Sequence, residues 1–379
     1  MKSRQEMDQP TMAIGVRPSF RRSPTLALVD EMEAARQAGQ NVLSLSTPSF
    51  PRSTDLPLAP LANGLRLSAP EGDSTLRTAA RAGLFGRWAL PDHDLCITAG
   101  AKAALFAILR IAGEPGARVI VAAPAWPSYD DIIHLAGHLP VTLLTRAEDG
   151  FRLDPADLTR LLAETGARAV LLANPGNPTG QVASQAELAA AMAACAAADA
   201  LLVLDESFSE IIADHPAWAA SVLDPHPNLV IINSFSKNHH LQGQRVAACL
   251  LHATLREDFI AVHQSLMSSA PSLGQAAALA ALQAGEGMDY SAPRRIAVEL
   301  IARAGWSCLA NQGTFYHFPR LPDLPRTLER LRDVGLYGLT GDIFGPPYAN
   351  HLRLCFGRPE AEMAEILRRV DSAGLLGKN

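Results

Sequence analysis

Residues 233–245 read NSFSKNHHLQGQR, directly after the apolar run LVII. The stretch places Ser234, Ser236, Lys237 and Arg245 together. A lysine ε-amine forms a Schiff base with an aldehyde cofactor when a nearby cation or a dry site lowers its pKa. Hydroxyls donate hydrogen bonds, and a guanidinium supplies paired donors with charge. The spacing therefore predicts a lysine that holds a phosphorylated cofactor, with Ser234, Ser236 and Arg245 as phosphate ligands. Taken alone, the stretch also fits a solvated loop with an ordinary ion pair.

Other segments offer what such a cofactor needs. LLANPGNPTGQ (171–181) holds two Asn-Pro steps after an apolar run, and these favour an extended, rigid turn. Asn177 can offer its amide to an oxygen on a ligand ring, although the prolines by themselves require no more than a tight loop. In LLVLDESF (201–208), Asp205 ends an apolar strand, where an isolated carboxylate is costly. A protonated pyridine nitrogen would offset that cost and let the ring accept electrons; a helix cap or local ion pair is the plainer alternative. ITAGAKAALFAIL (97–109) runs from a strand into a helix, so the N–H groups of Ala101 and Lys102 make an anion site aided by the helix dipole. In APAWPSYDD, Trp126 stands between two prolines and either stacks on a flat ring or fills a core. In NHLRLCFG, Arg353 lies in an apolar strand with no acid nearby in sequence. A substrate carboxylate or a distant acid must answer it.

These residues need a frame. Short apolar runs alternate with helical patterns from about 95 to 250, and LCIT, RVIVAA, VTLL, AVLLAN, LLVLDE and LVIINS read as buried strands. AKAALFAILRIA and SQAELAAAMAACAA read as helices between them. Alternation of this kind predicts an α/β domain with a mainly parallel sheet, whose ligands gather at the carboxyl ends of the strands. The proline-rich span 48–72 is expected to be an ordered loop. A long helical stretch is expected from 255 to about 283. Short strands (GTFYHFP, HLRLCF), a helix around LPRTLERLRDVG and a last helix from Pro359 then suggest a smaller α+β layer.

With 379 residues, one large domain plus a smaller one is the natural division. Hydrophobic residues at 48% and charged ones at 19% suit a globular chain rather than a disordered one. A net charge of −5 argues against non-specific nucleic-acid binding. The five cysteines are scattered without a CxxC pair, so no zinc site or disulfide framework is expected. The first residues lack a signal-peptide core, and the alanine-rich run before Leu201 is broken by Asp199, so a cytoplasmic protein without a membrane span is expected.

From SPTLA to HLRLCFG, the segments in this order resemble the class I/II aminotransferases, fold-type I enzymes that use pyridoxal 5′-phosphate. NPGNPTG, D-E-x-F and SFSK followed by GxR carry the resemblance most strongly. It implies Lys237 as the Schiff-base and proton-transfer lysine, Asp205 at the pyridine nitrogen and Asn177 at the ring hydroxyl. It implies Trp126 stacked on the ring, and Ser234, Ser236, Arg245 and the amides of Ala101 and Lys102 around the phosphate. It implies Arg353 on the substrate α-carboxylate, a large domain over 48–270, and a small domain made of 1–47 with 271–379. It also implies a homodimer with active sites at the interface. Three departures stand out. Phe208 replaces a usual tyrosine that bonds the ring hydroxyl. Leu67 replaces one that reaches across the dimer. Ser46 replaces a glycine whose backbone borders the substrate.

The expected reaction moves an α-amino group from an amino acid to a keto acid. A rival keeps the cofactor and ends in elimination, cyclisation, oxidation or decarboxylation, with His239 and His240 as further acid/base nitrogens. A non-catalytic, cofactor-binding regulator is the remaining alternative. The sequence names neither the amino acid nor the acceptor.

Overall fold

In the computed structural model of the chain, residues 23–49, 67–212, 222–285 and 289–377 are described. Most of the proline-rich span over 48–72 therefore lies outside the described residues. Helix α1 (Pro24–Gln37), strand β1 (Leu43–Ser44) and helix α2 (Ser74–Ala82) come first. Strands and helices then alternate as β2 (His93–Thr98), α3 (Ala101–Ile111), β3 (Arg118–Ala123), α4 (Ser128–Leu135), β4 (Leu139–Leu144), α5 (Pro155–Thr165), β5 (Ala169–Ala173), α6 (Gln185–Ala197) and β6 (Leu201–Asp205). Next come β7 (Leu229–Ser234), the single turn α7 (Phe235–Asn238) and β8 (Ala247–His252). The remainder is α8 (Arg256–Met267), α9 (Ser272–Ala284), α10 (Ser291–Arg303), β9 (Tyr316–His317), α11 (Leu324–Asp333), β10 (Leu336–Tyr337), β11 (Leu339–Thr340), β12 (Leu352–Cys355) and α12 (Glu360–Ser372).

The main sheet has seven strands in the order β2-β8-β7-β6-β5-β3-β4 among the described residues. Every neighbouring pair from β7 to β4 is parallel, and β8 runs antiparallel to both β7 and β2. Period-2 alternation gives the central strands two buried faces, while the edge strand β4 is largely open. In β6, Leu202 and Leu204 join Phe85, Leu158 and Leu188 in one core. Leu201 and Val203 join Leu105, Ile108 and Ile133 in the other. The six expected strands and the two expected helices are all present. β8 was not expected, because AACLLH is alanine-rich and its strand character comes from pairing on both sides. The single helical stretch expected from 255 is two helices, since Ser268 takes a positive φ of 61° and Pro271 has no N–H with which to continue one.

The smaller layer is a three-stranded antiparallel sheet, β11-β12-β9, beside the parallel pair β1-β10. Its core joins Leu45 to Phe315, Leu331, Leu352 and Ile366. The N-terminal segment is stitched into this layer. Leu45 donates its N–H to Tyr337 (2.6 Å) and accepts one from Cys355 (2.6 Å). It therefore runs between β10 and β12.

Helix α9 packs against the turn before β8. A Cβ on Gly274 would lie 2.3 Å from the Gln244 carbonyl oxygen and 2.7 Å from Val246 Cγ2. Gly274→Ala is therefore expected to cost about 1–3 kcal/mol through overpacking. The measurement is the urea midpoint at constant m-value. An unchanged midpoint would mean that the turn moves aside freely.

Candidate active site

β5, β6 and β7 lie side by side and point the same way, so their carboxyl ends form one ledge. Asp205 ends β6 and Ser234 ends β7; the Asn177 loop follows β5, and α7 carries Lys237. A cavity of about 370 Å³ opens on this ledge. Of the residues singled out in sequence, Lys237, Asp205 and Asn177, Trp126 and Phe208, Ala101 and Lys102, Ser234, Ser236 and Arg245, and Arg353 line it, whereas Ser46, Leu67, His239 and His240 do not.

One end of the cavity is built for an anion. Gly100, before α3, has φ 86°, and a Cβ there would meet Arg245 Nη2 at 2.3 Å. Glycine is required because the guanidinium packs on the turn that starts α3. The first-turn amides of Ala101 and Lys102 have no acceptor within the helix. Ser234 Oγ accepts the Ser236 N–H at 3.2 Å, which leaves its own proton for another partner. The Lys102 ammonium lies 3.5 Å from Ser128 Oγ and 5.0 Å from the centre of the Trp126 ring. Burial lowers its pKa, and the neighbouring charge of Arg245 adds to the effect. Trp126 is in turn braced edge-on by Tyr129, at 5.4 Å between ring centres.

At the floor, Asp205 is buried but well supplied with donors. Tyr129 donates to Oδ2 at 2.7 Å, and Ser207 donates to Oδ1 through its N–H (3.0 Å) and its hydroxyl (2.5 Å). Burial pushes the carboxyl pKa up, while the bonds from Ser207 and Tyr129 oppose the shift. Tyr129 and Ser207 were missed in sequence. The available signals were small: Tyr129 is three residues beyond Trp126, in the first turn of α4, and Ser207 is two beyond the carboxylate.

Lys237 is held by a buried amide network. Asn238 Nδ2 donates to Asn233 Oδ1 (2.8 Å) and Ser209 Oγ (3.1 Å), and Asn233 Nδ2 donates to Ser209 Oγ (2.7 Å). This ties the lysine turn to the segment following Asp205. Burial lowers the Lys237 pKa to about 8, with Arg353 and Arg245 adding to the effect and Cys355 opposing it.

Arg353 is buried, and no carboxylate pairs with it among the described residues. Nη1 donates to Asn177 Oδ1 at 3.2 Å and Nη2 to the Ser46 carbonyl at 2.9 Å, while Nε has no partner. The guanidinium carbon lies 4.4 Å from the Tyr316 ring centre and 5.2 Å from that of Phe344. Because Asn177 Oδ1 is taken, its NH₂ group is the part left for a ligand. Phe208 packs edge-on against Phe315 and Tyr316. Ser46 stands behind Arg353, while the next residues, Thr47 and Pro48, line the cavity together with Ser23, Thr25 and Leu26. His239 and His240 lie outside the lining: His239 packs on Phe235, and His240 Nε2 lies 2.6 Å from the Tyr290 hydroxyl. Leu67 is 77% exposed at the surface.

The donor set fits a flat phosphorylated aldehyde with a ring nitrogen. It offers a cationic cradle fitted around Gly100, an amine of lowered pKa, a buried carboxylate and an indole. Arg353 and its unpartnered Nε add a place for a second, carboxylate-bearing molecule.

Comparison with known proteins agrees. The family described as "Aminotransferase class I and II" matches residues 66–370. A "Putative aminotransferase YugH" of Bacillus subtilis is 30% identical over 292 residues, covering 74% of this chain and 75% of that protein. An aspartate aminotransferase of Geobacillus stearothermophilus is 28% identical, covering 92% and 95%. Among solved structures, the aspartate aminotransferase of Thermus thermophilus with maleate superposes with a TM-score of 0.83 at 25% identity, covering 94% and 97%.

The lowered pKa of Lys237 has a counterpart in stability. The folded protein releases this proton at about 8, against 10.5 for an unburied lysine. The penalty for burying the ammonium is therefore full below pH 8, shrinks as the pH rises, and is gone above about 10.4. Without cofactor, Lys237→Met is expected to be more stable than the parent at pH 7, by on the order of 3 kcal/mol. Denaturation at a series of pH values should show the gap closing between these limits. A gap independent of pH would contradict a buried ammonium.

Proposed function

We propose how this chain works from an established premise: it belongs to the class I and II aminotransferase family and is a pyridoxal-phosphate-dependent aminotransferase. The observation that carries the assignment of roles is the convergence of Lys237, Asp205, Asn177, Arg245 and Arg353 on one cavity. When bound, the cofactor supplies an aldehyde for amines and a ring that takes up the electron pair left at the substrate Cα.

Arg245, Ser234, Ser236 and the amides of Ala101 and Lys102 hold the phosphate. Trp126 covers one face of the ring. Asp205 accepts the ring N–H, and the bonds from Ser207 and Tyr129 oppose the upward shift that burial imposes on its carboxyl. Asn177 offers its NH₂ group to the ring oxygen. Arg353 takes the α-carboxylate of an amino acid or keto acid in a two-donor grip and so orients the Cα–H bond. Lys237 Nζ moves the Cα proton; with a pKa of about 8, a usable fraction is neutral near pH 7. Phe208 contributes packing only, so Asn177 is the side chain left at the ring oxygen.

The same reading gives a large domain over 48–270, and a small one from 1–47 and 271–379, supported by the pairing of β1 with β10. It also gives a homodimer. Leu67, Leu266, Met267 and Leu273 are exposed apolar residues around α9. The Gln275–Ser68 hydrogen bond (2.8 Å) brings the segment after Leu67 onto that helix. Gly274 of the same helix packs on Gln244, next to Arg245, so a partner covering this face would lie close to the cavity. A cytoplasmic location is in keeping with five free thiols.

The test is single-turnover formation of keto acid from a panel of amino acids, followed with the spectrum of the bound cofactor. Lys237→Ala is expected to lose at least ~10³-fold in turnover. Asp205→Ala is expected to lose turnover far more than cofactor occupancy. Full activity in the first variant, or equal losses of both properties in the second, would end the respective assignment.

A further inference from the structure

β11 and β12 pair antiparallel, with Leu339 opposite Arg353. Facing residues of such a ladder ordinarily exchange direct N–H···O bonds or none. Here a side chain from elsewhere stands between them. Ser46 Oγ accepts the Leu339 N–H at 2.7 Å and donates to the Arg353 carbonyl at 2.5 Å. The Ser46 carbonyl in turn accepts Arg353 Nη2 at 2.9 Å. One fully buried residue thus holds Arg353 at both its main chain and its guanidinium.

We infer that Ser46 is a positioning residue for the substrate carboxylate: its hydroxyl, spliced into the β11–β12 ladder, sets where the Arg353 guanidinium stands. The inference rests on the assignment of Arg353 to that carboxylate. Ser46 touches no ligand in this arrangement, because its hydroxyl points into the sheet. The next two residues, Thr47 and Pro48, do line the cavity. Ser46 therefore couples that wall to the arginine. Glycine, the usual residue here in the family this chain resembles, supplies no hydroxyl. Without it, the Leu339 N–H and the Arg353 carbonyl are left unpaired, or the strands close to a direct bond and carry Arg353 with them. A displacement of ~1 Å at such a group is enough to cost ~100-fold.

The experiment compares two probes on the cofactor-loaded protein. α-Aminoisobutyrate carries an amine and a carboxylate but no Cα proton; isopropylamine is its counterpart without the carboxylate. Affinities are read from the absorption of the bound cofactor and by calorimetry. Ser46→Gly and Ser46→Ala are expected to weaken α-aminoisobutyrate about 10-fold or more. Isopropylamine should hold to within about 2-fold, since only the carboxylate contact is displaced. Equal weakening of both probes would overturn the inference, as would unchanged α-aminoisobutyrate binding. Arg353→Gln separates the two levels. If it weakens α-aminoisobutyrate while the Ser46 variants do not, only the role of Ser46 fails. If it leaves both probes unchanged, the assignment of Arg353 fails, and the role of Ser46 with it.

Discussion

The guanidinium of Arg353 is where three distant parts of the chain meet. Asn177 reaches it from the loop after β5, Ser46 from the N-terminal segment, and Tyr316 and Phe344 from the smaller layer. A buried cation costs several kcal/mol unless paired. Two neutral oxygens and the faces of aromatic rings offset only part of that cost. The remainder is a standing bias towards an arriving carboxylate. The same contacts tie the wall at Thr47 to the main sheet, so a buried cation without a carboxylate partner among the described residues also helps to shape the cavity.

The floor of the cavity solves a second problem. Burial drives both Asp205 and Lys237 towards their neutral forms. The carboxylate is given three hydrogen-bond donors that resist the change. The lysine is given Arg353 and Arg245 as neighbours, which reinforce it. Environments that treat two titratable groups so differently are what proton-transfer sites require. On the proposed roles, the bonded carboxylate faces the ring nitrogen while the lysine of lowered pKa serves as the proton carrier.

Much of this was legible in the sequence because strand ends are informative. Apolar runs identify the strands of a parallel sheet, and polar residues just beyond them fall on one ledge. Asp205, Asn177, Lys237 and Arg245 all sit at such places. What escaped notice depends on contacts that no local pattern encodes. β8 is a strand because β2 and β7 flank it, not because AACLLH favours one. Tyr129 matters through a bond to a residue far along the chain. Asn233, near the end of the LVIINS strand, and Asn238, just beyond the lysine, show no link in sequence until the turn between them closes on Ser209. The direction of the Ser46 hydroxyl follows from the register of two strands nearly three hundred residues away.

The departures from the resembled family fall unevenly. The phosphate end keeps its hydroxyls, its arginine and the glycine fitted against it. Phe208 removes a hydrogen bond at the ring oxygen and replaces it with edge-on packing against Phe315 and Tyr316. Ser46 adds a hydroxyl behind Arg353. On the proposed roles, one change alters how the ring is supported where substrate and cofactor meet, and the other alters how the carboxylate is received. These two changes meet where substrate and ring would touch, while the third, Leu67, lies on the exposed face beside α9. Substrate choice in this chain is therefore to be sought in the wall formed by the N-terminal segment and the arginine tied to it.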